Sequence, residues 1–98
     1  MAIRFGPGGL GGINEAISNL ERFAKLGLRA CEIEFTYGIY IKDKKTAEEI
    51  GRKAREMDIK LSIHAPYYIN LNSEDRQNIE QSQKRILDCC EFANWLGA

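Results

Sequence analysis

The residues best suited to chemistry lie in one stretch, Leu61-Ser62-Ile63-His64-Ala65-Pro66-Tyr67-Tyr68-Ile69-Asn70-Leu71, which holds the chain's single histidine. An imidazole can ligate a metal or carry a proton near neutral pH. It cannot hold catalytic zinc alone, because such a site takes about three protein ligands. Glu32 and Glu34 are the nearest carboxylate candidates. Two residues apart in a strand, they share a face, and Ile33 and Phe35 take the other. Apolar side chains suit the helix-covered side, so the two glutamates are expected to point away from it. There they could join a metal site or form an ion pair with a residue such as Arg4.

Four tyrosines, Tyr37, Tyr40, Tyr67 and Tyr68, fall in segments that follow strands, with Asn70 beside the last two. Aromatic rings there can stack on bases or wedge into a duplex, while Lys42, Lys44 and Lys45 could contact phosphates. Equally, the rings could cover the end of a core and the lysines stay solvated. Gly6-Pro7-Gly8-Gly9-Leu10-Gly11 satisfies the glycine pattern of a dinucleotide fingerprint, with Glu34 downstream. Arg4 interrupts the preceding strand and Glu15 stands where a small residue is usual, so a flexible loop is the preferred reading and no cofactor-binding residue is assigned.

Positioning these groups requires alternating strands and helices. Ala2–Phe5 is a first strand candidate. Ile13, Ala16, Ile17, Leu20 and Phe23 recur at helical spacing, with Gly27 as the stop. Arg29–Phe35 is the second strand and Thr36–Lys45 a loop. Thr46 and Glu49 form a capping box for a second helix that turns Ala47, Ile50, Ala54 and Met57 inward. The third strand runs to His64, where Pro66 removes a ladder donor. Ser73 is expected to cap a third helix whose buried stripe is Ile79, Ile86, Leu87, Cys90 and Ala93, ending at Gly97.

The order strand, helix, strand, helix, strand, helix predicts an α/β fold of three consecutive parallel βα units. Residues 1–98 would make a single partial domain, the N-terminal part of a TIM (β/α)8 barrel, with the loops after the strands gathered at one edge. A fourth strand is expected next, and if the chain ended here the uncovered sheet edges would favour self-association.

Composition narrows the classes. The 98 residues are 44% hydrophobic and 29% charged, with 14 basic and 14 acidic side chains, so net charge argues for neither a nucleic-acid nor a membrane partner. No apolar run reaches the roughly 18 residues a membrane span needs, and the expected location is the cytoplasm. Cys31, Cys89 and Cys90 are odd in number and two are adjacent, which suits reduced, buried or half-buried thiols better than a disulfide framework.

His64-Ala65-Pro66-Tyr67-Tyr68-Ile69-Asn70-Leu71 resembles the third-strand motif of the endonuclease IV family, zinc-dependent apurinic/apyrimidinic endonucleases, particularly archaeal members. The glycine-rich loop and Phe35-Thr36 support the likeness, which spans the whole chain. It implies a TIM barrel with a trinuclear zinc centre, hydrolysis of the phosphodiester 5′ to an abasic site, and a flipped-out abasic nucleotide. By the same resemblance His64 is a zinc ligand, with the remaining ligands beyond Ala98, and abasic DNA is the partner. DNA contacts would come from Thr36, Tyr37, Tyr40, Tyr67, Tyr68 and Asn70. Phe5-Gly6-Pro7 stands where the family commonly has a histidine, and Tyr40 where bacterial members carry an arginine. Two other readings stay open: a sugar isomerase or epimerase of the xylose isomerase-like barrels, and a non-catalytic half-barrel that oligomerises.

Overall fold

A computed structural model describes residues 3–98. A 3-10 turn at Ile13–Glu15 leads into helix α1, Ala16–Lys25, which buries Ala16, Leu20 and Phe23. Leu28 donates its N–H to Phe23 O, and Gly27 takes φ 80° so that the chain can reverse. Strand β1, Ala30–Glu34, follows, then helix α2, Lys44–Glu56, strand β2, Lys60–His64, and helix α3, Arg76–Leu96.

Strands β1 and β2 pair in parallel, Ala30 opposite Lys60 through Glu34 opposite His64. The ladder runs on at both ends, Lys60 N–H to Arg29 O and Phe35 N–H to His64 O. Its covered face carries Cys31, Ile33 and Phe35, which pack with Leu20, Ile50 and Leu96 of the three helices. Phe35 is completely buried, edge-on to Tyr40 and Phe92 at centroid distances of 5.4 and 6.3 Å. Helices α2 and α3 approach closely at Gly51. A Cβ there would lie 2.5 Å from Leu96 O, so the contact requires glycine.

The described residues thus form a two-stranded sheet rather than three strands. Of the expected first strand, Ala2 lies outside the described residues, and Ile3–Phe5 is irregular. The segment still runs beside β1, with Arg29 N–H on Phe5 O, Glu32 N–H on Pro7 O, Gly9 N–H on Glu32 O, and a parallel bridge between Gly8 and Glu32. Pro7 has no N–H to give the ladder, and Gly6 presses so close to the Ala30 carbonyl that any side chain would collide with it. These two residues leave a strand-like path whose pairing with β1 is limited to the bridge at Gly8. The glycine loop therefore meets β1 backbone and leads through the 3-10 turn into α1.

Three further expectations change. Helix α2 is capped by Asp43, whose Oδ1 accepts the Thr46 N–H at 2.7 Å, so Thr46 donates to the cap and is not itself the N-cap residue. Asp75 caps α3 by accepting from Gln77 N–H, while Ser73 Oγ accepts the Asp75 N–H one step earlier. The seam of α3 is Ser82, Cys89 and Leu96, at seven-residue spacing; Leu87 is 68% exposed and Cys90 is exposed too. Gly97 ends the helix in the left-handed conformation, as expected. No described helix is long and apolar enough to cross a membrane.

Candidate functional site

Strand alternation gives the sheet two chemically different sides. Opposite the buried face lie Glu32 and Glu34 of β1 and Ser62 and His64 of β2, with Glu32 in register with Ser62 and Glu34 with His64. Arg4 does not pair with either glutamate. Its guanidinium bonds to Arg29 O, Asp58 O and Asp58 Oδ1, the last at 3.1 Å. Glu34 and His64 thus stand side by side at the carboxyl ends of neighbouring strands. Around the same face, a cleft of about 260 Å³ is lined by Arg4, Gly6, Pro7, Gly8, Glu32 and Ser62.

The His64 ring is fixed through Nδ1, 2.7 Å from Ala65 O. A carbonyl oxygen can only accept, so in this bond Nδ1 carries the proton and the lone pair of a neutral ring lies on Nε2. Histidines that ligate metals are held in this way, the second ring nitrogen donating to a carbonyl or carboxylate. The donor chemistry at His64 therefore fits a metal ligand, with Glu34 as its neighbour. Among the described residues, no group of three or more His, Cys, Asp or Glu side chains is placed to hold a metal ion. His64 and Glu34 could supply only part of a donor set.

Two loops leave this rim, and they are joined. Tyr67 N–H donates to Thr36 O at 3.2 Å, tying the segment after β2 to that after β1. Tyr37 and Tyr67 meet edge-to-face at 5.6 Å, and Tyr67 and Tyr68 at 5.5 Å. Tyr37 and Tyr67 are 86% and 69% exposed. These rings form a small aromatic ridge. Asn70 belongs to the same loop, but its Oδ1 accepts the Asn72 N–H and so shapes the turn. Tyr40 is set differently, half-buried against Phe35, and burial pushes its phenol pKa up, with smaller contributions from Cys31 and Glu34.

Lys44 and Lys45 lie in the first turn of α2. They line a groove of about 680 Å³ with Arg52, Arg55 and Trp95, between α2 and α3, and not the tyrosine ridge. Lys44 pairs with Glu48 and Arg52 with Glu56 at i,i+4 spacing, the pattern of a solvated helix face. All three cysteines are free thiols.

Sequence reasoning passed over two residues of this region, Ser82 and Arg85 on α3. Ser82 Oγ accepts the Asn70 N–H at 2.9 Å, and Arg85 lies over the Tyr68 ring at 4.6 Å. A serine seven residues before Cys89 on an otherwise apolar seam was the available signal for the first. Nothing in the spacing marks the second.

Parallel βα units, with candidate donors and loops gathered at the carboxyl ends of the strands, define an α/β chain of the parallel class, open or closed. The model of the xylose isomerase-like TIM barrel family matches residues 20–98, and the chain belongs to that family. It is also 40% identical over 75 residues to an uncharacterized protein of Methanocaldococcus jannaschii, an alignment covering 74% of this chain and 26% of the relative. The chain thus spans about a quarter of that relative's length.

Proposed function

We propose that these residues belong to a zinc-dependent endonuclease acting on the phosphodiester 5′ to abasic sites in DNA. The observation that carries this reading is His64, with Nδ1 tied to Ala65 O, at the rim that also bears the exposed ridge of Tyr37, Tyr67 and Tyr68. In this reading His64 Nε2 is a zinc ligand, Glu34 lies beside it, and the remaining ligands come from segments outside these residues. Bound zinc would supply an activated water and charge stabilisation for the leaving oxygen.

The chain's own groups act before and around that chemistry. Ala65 O holds the His64 tautomer. Tyr67 and Tyr68 offer ring faces to the gap beside a missing base, where stacking by aromatic residues replaces what the base provided. Thr36 supports Tyr67 through its carbonyl, Asn70 shapes the loop, and Tyr40 packs half-buried against Phe35. Thr36, Tyr37, Tyr40 and Asn70 complete the proposed DNA-facing set.

The test is cleavage of a duplex with a single abasic site by the full-length protein. Activity is expected to disappear on chelation and to fall more than about a hundredfold in His64→Ala, since loss even of a ligand's supporting partner costs about 10- to 100-fold. Wild-type activity in His64→Ala would overturn the reading. The register of Glu34 with His64 on an open sheet face favours a second reading, a sugar isomerase or epimerase. That enzyme would convert a small sugar and show no measurable affinity for abasic duplex.

A further inference from the structure

Ser82 is the one polar side chain fully buried among the described residues, at 1% exposure. A buried hydroxyl is costly unless it is hydrogen-bonded, and this one is used to hold the backbone of Asn70. One turn further along α3, on the same side, the guanidinium of Arg85 covers Tyr68 within the range of a cation–π contact. Tyr68 then meets Tyr67, and Tyr67 meets Tyr37. On its far side the Tyr68 hydroxyl comes within 3.4 Å of where a Cβ would stand at Gly38, a residue with φ 123°. A continuous row therefore runs from α3 through the segment after β2 to the one after β1.

We propose that Arg85 and Ser82 are positioning residues, which hold Tyr67 and Tyr68 at the rim in the orientation that engages DNA beside an abasic site. The inference rests on the function proposed above. Ser82 fixes the height of the loop by its backbone. Arg85 fixes the ring at the loop's centre, and the edge-to-face contacts pass that constraint to Tyr67 and Tyr37. Without the guanidinium, Tyr68 loses its partner on the helix side and the row is anchored only through the loop backbone.

The experiment compares Arg85→Ala, Arg85→Gln, Arg85→Lys, Tyr68→Ala and the Arg85→Ala/Tyr68→Ala double variant in the full-length protein at one fixed salt concentration. Near-UV circular dichroism reads the tyrosine row, and abasic-duplex titration reads its use. Arg85→Ala and Arg85→Gln are expected to reduce the tyrosine signal and weaken binding by up to about tenfold, the effect of one cation–π contact. Arg85→Lys should recover part of both, and the double variant should bind no worse than Tyr68→Ala. An unchanged tyrosine signal in both Arg85→Ala and Arg85→Gln overturns the proposal. So does a binding loss that adds fully to that of Tyr68→Ala, because Arg85 would then contact phosphate independently. If the wild type binds no abasic duplex, the function reading fails, and the near-UV signal alone decides whether Arg85 positions the row.

Discussion

The two sides of β1 are built to different specifications within five residues. On one, Cys31, Ile33 and Phe35 are 2%, 0% and 0% exposed and fit against three helices. On the other, half-buried Glu32 and exposed Glu34 lie beside Ser62 and His64. Volume decides the first side, since an interior packs at crystal-like density and reacts to a single missing methylene. Functional-group chemistry decides the second, where little is packed. A one-residue slip in register would exchange them, so burial of the first side also fixes the register that places Glu34 next to His64.

Substitutions can break that contrast. Phe35→Ala removes a fully buried ring and is expected to cost about 3–5 kcal/mol in chemical denaturation. A loss below about 1 kcal/mol would mean that this side is not governed by packing. Gly6→Ala puts a methyl against the Ala30 carbonyl and should cost about 1–3 kcal/mol, the range of overpacking. Unchanged stability in that variant would show that the N-terminal segment does not press on β1 in solution.

The thiols test the same contrast by pH. Burial, with the charges of Glu32 and Glu34 behind it, pushes the Cys31 thiol from its ordinary 9.0 up to about 11. The unfolded chain releases this proton near pH 9.0 while the folded chain keeps it, so this contribution to stability is present below pH 9.0 and lost as pH rises towards 11. At pH 8, iodoacetamide should modify exposed Cys90 and spare Cys31 until unfolding. Equal modification of both in the native state would contradict the burial of this side. Smallest in stability should be Glu34→Gln, within about 0.5 kcal/mol, because the residue packs against little. If the function proposed above holds, it should nevertheless lower zinc content and cleavage by the full-length protein, and in any case it should ease the Cys31 thiol back towards its ordinary range. A large unfolding shift with unchanged metal content would reverse the roles of the two sides.

Much of this was legible in the residues. The spacing of Ala16, Leu20 and Phe23 and of Ala47, Ile50 and Ala54 gave helices α1 and α2, and Gly27 and Gly97 gave two stops. Strand alternation separated Glu32 and Glu34 from Ile33 and Phe35. The parallel order placed His64 at a strand end, and the family match agrees with a barrel-type chain. What failed depended on contacts across the sequence or on competition between equivalent neighbours. Asp43 and Thr46, or Ser73 and Asp75, are all able caps, and backbone geometry chose between them. The first strand is reduced to a bridge at Gly8 because Pro7 has no N–H to give β1, while Gly6 runs close against Ala30, a contact across the sequence that no local pattern reveals. Helix α3 carries apolar residues on more than one side, so periodicity selected Leu87 and Cys90 where the packed seam uses Ser82 and Cys89. Tyr40 looks like the other tyrosines in composition and differs only because Phe35 lies beneath it.

The hydrogen bond from Tyr67 N–H to Thr36 O has a kinetic meaning as well. Two loops that each opened alone would exchange their amide hydrogens at separate rates. Joined by this bond and the Tyr37–Tyr67 contact, they become one cooperative opening unit, whose slowest amides should exchange together. Whatever ligand orders one loop then slows the other, although the two are separated along the chain by the whole of α2 and β2.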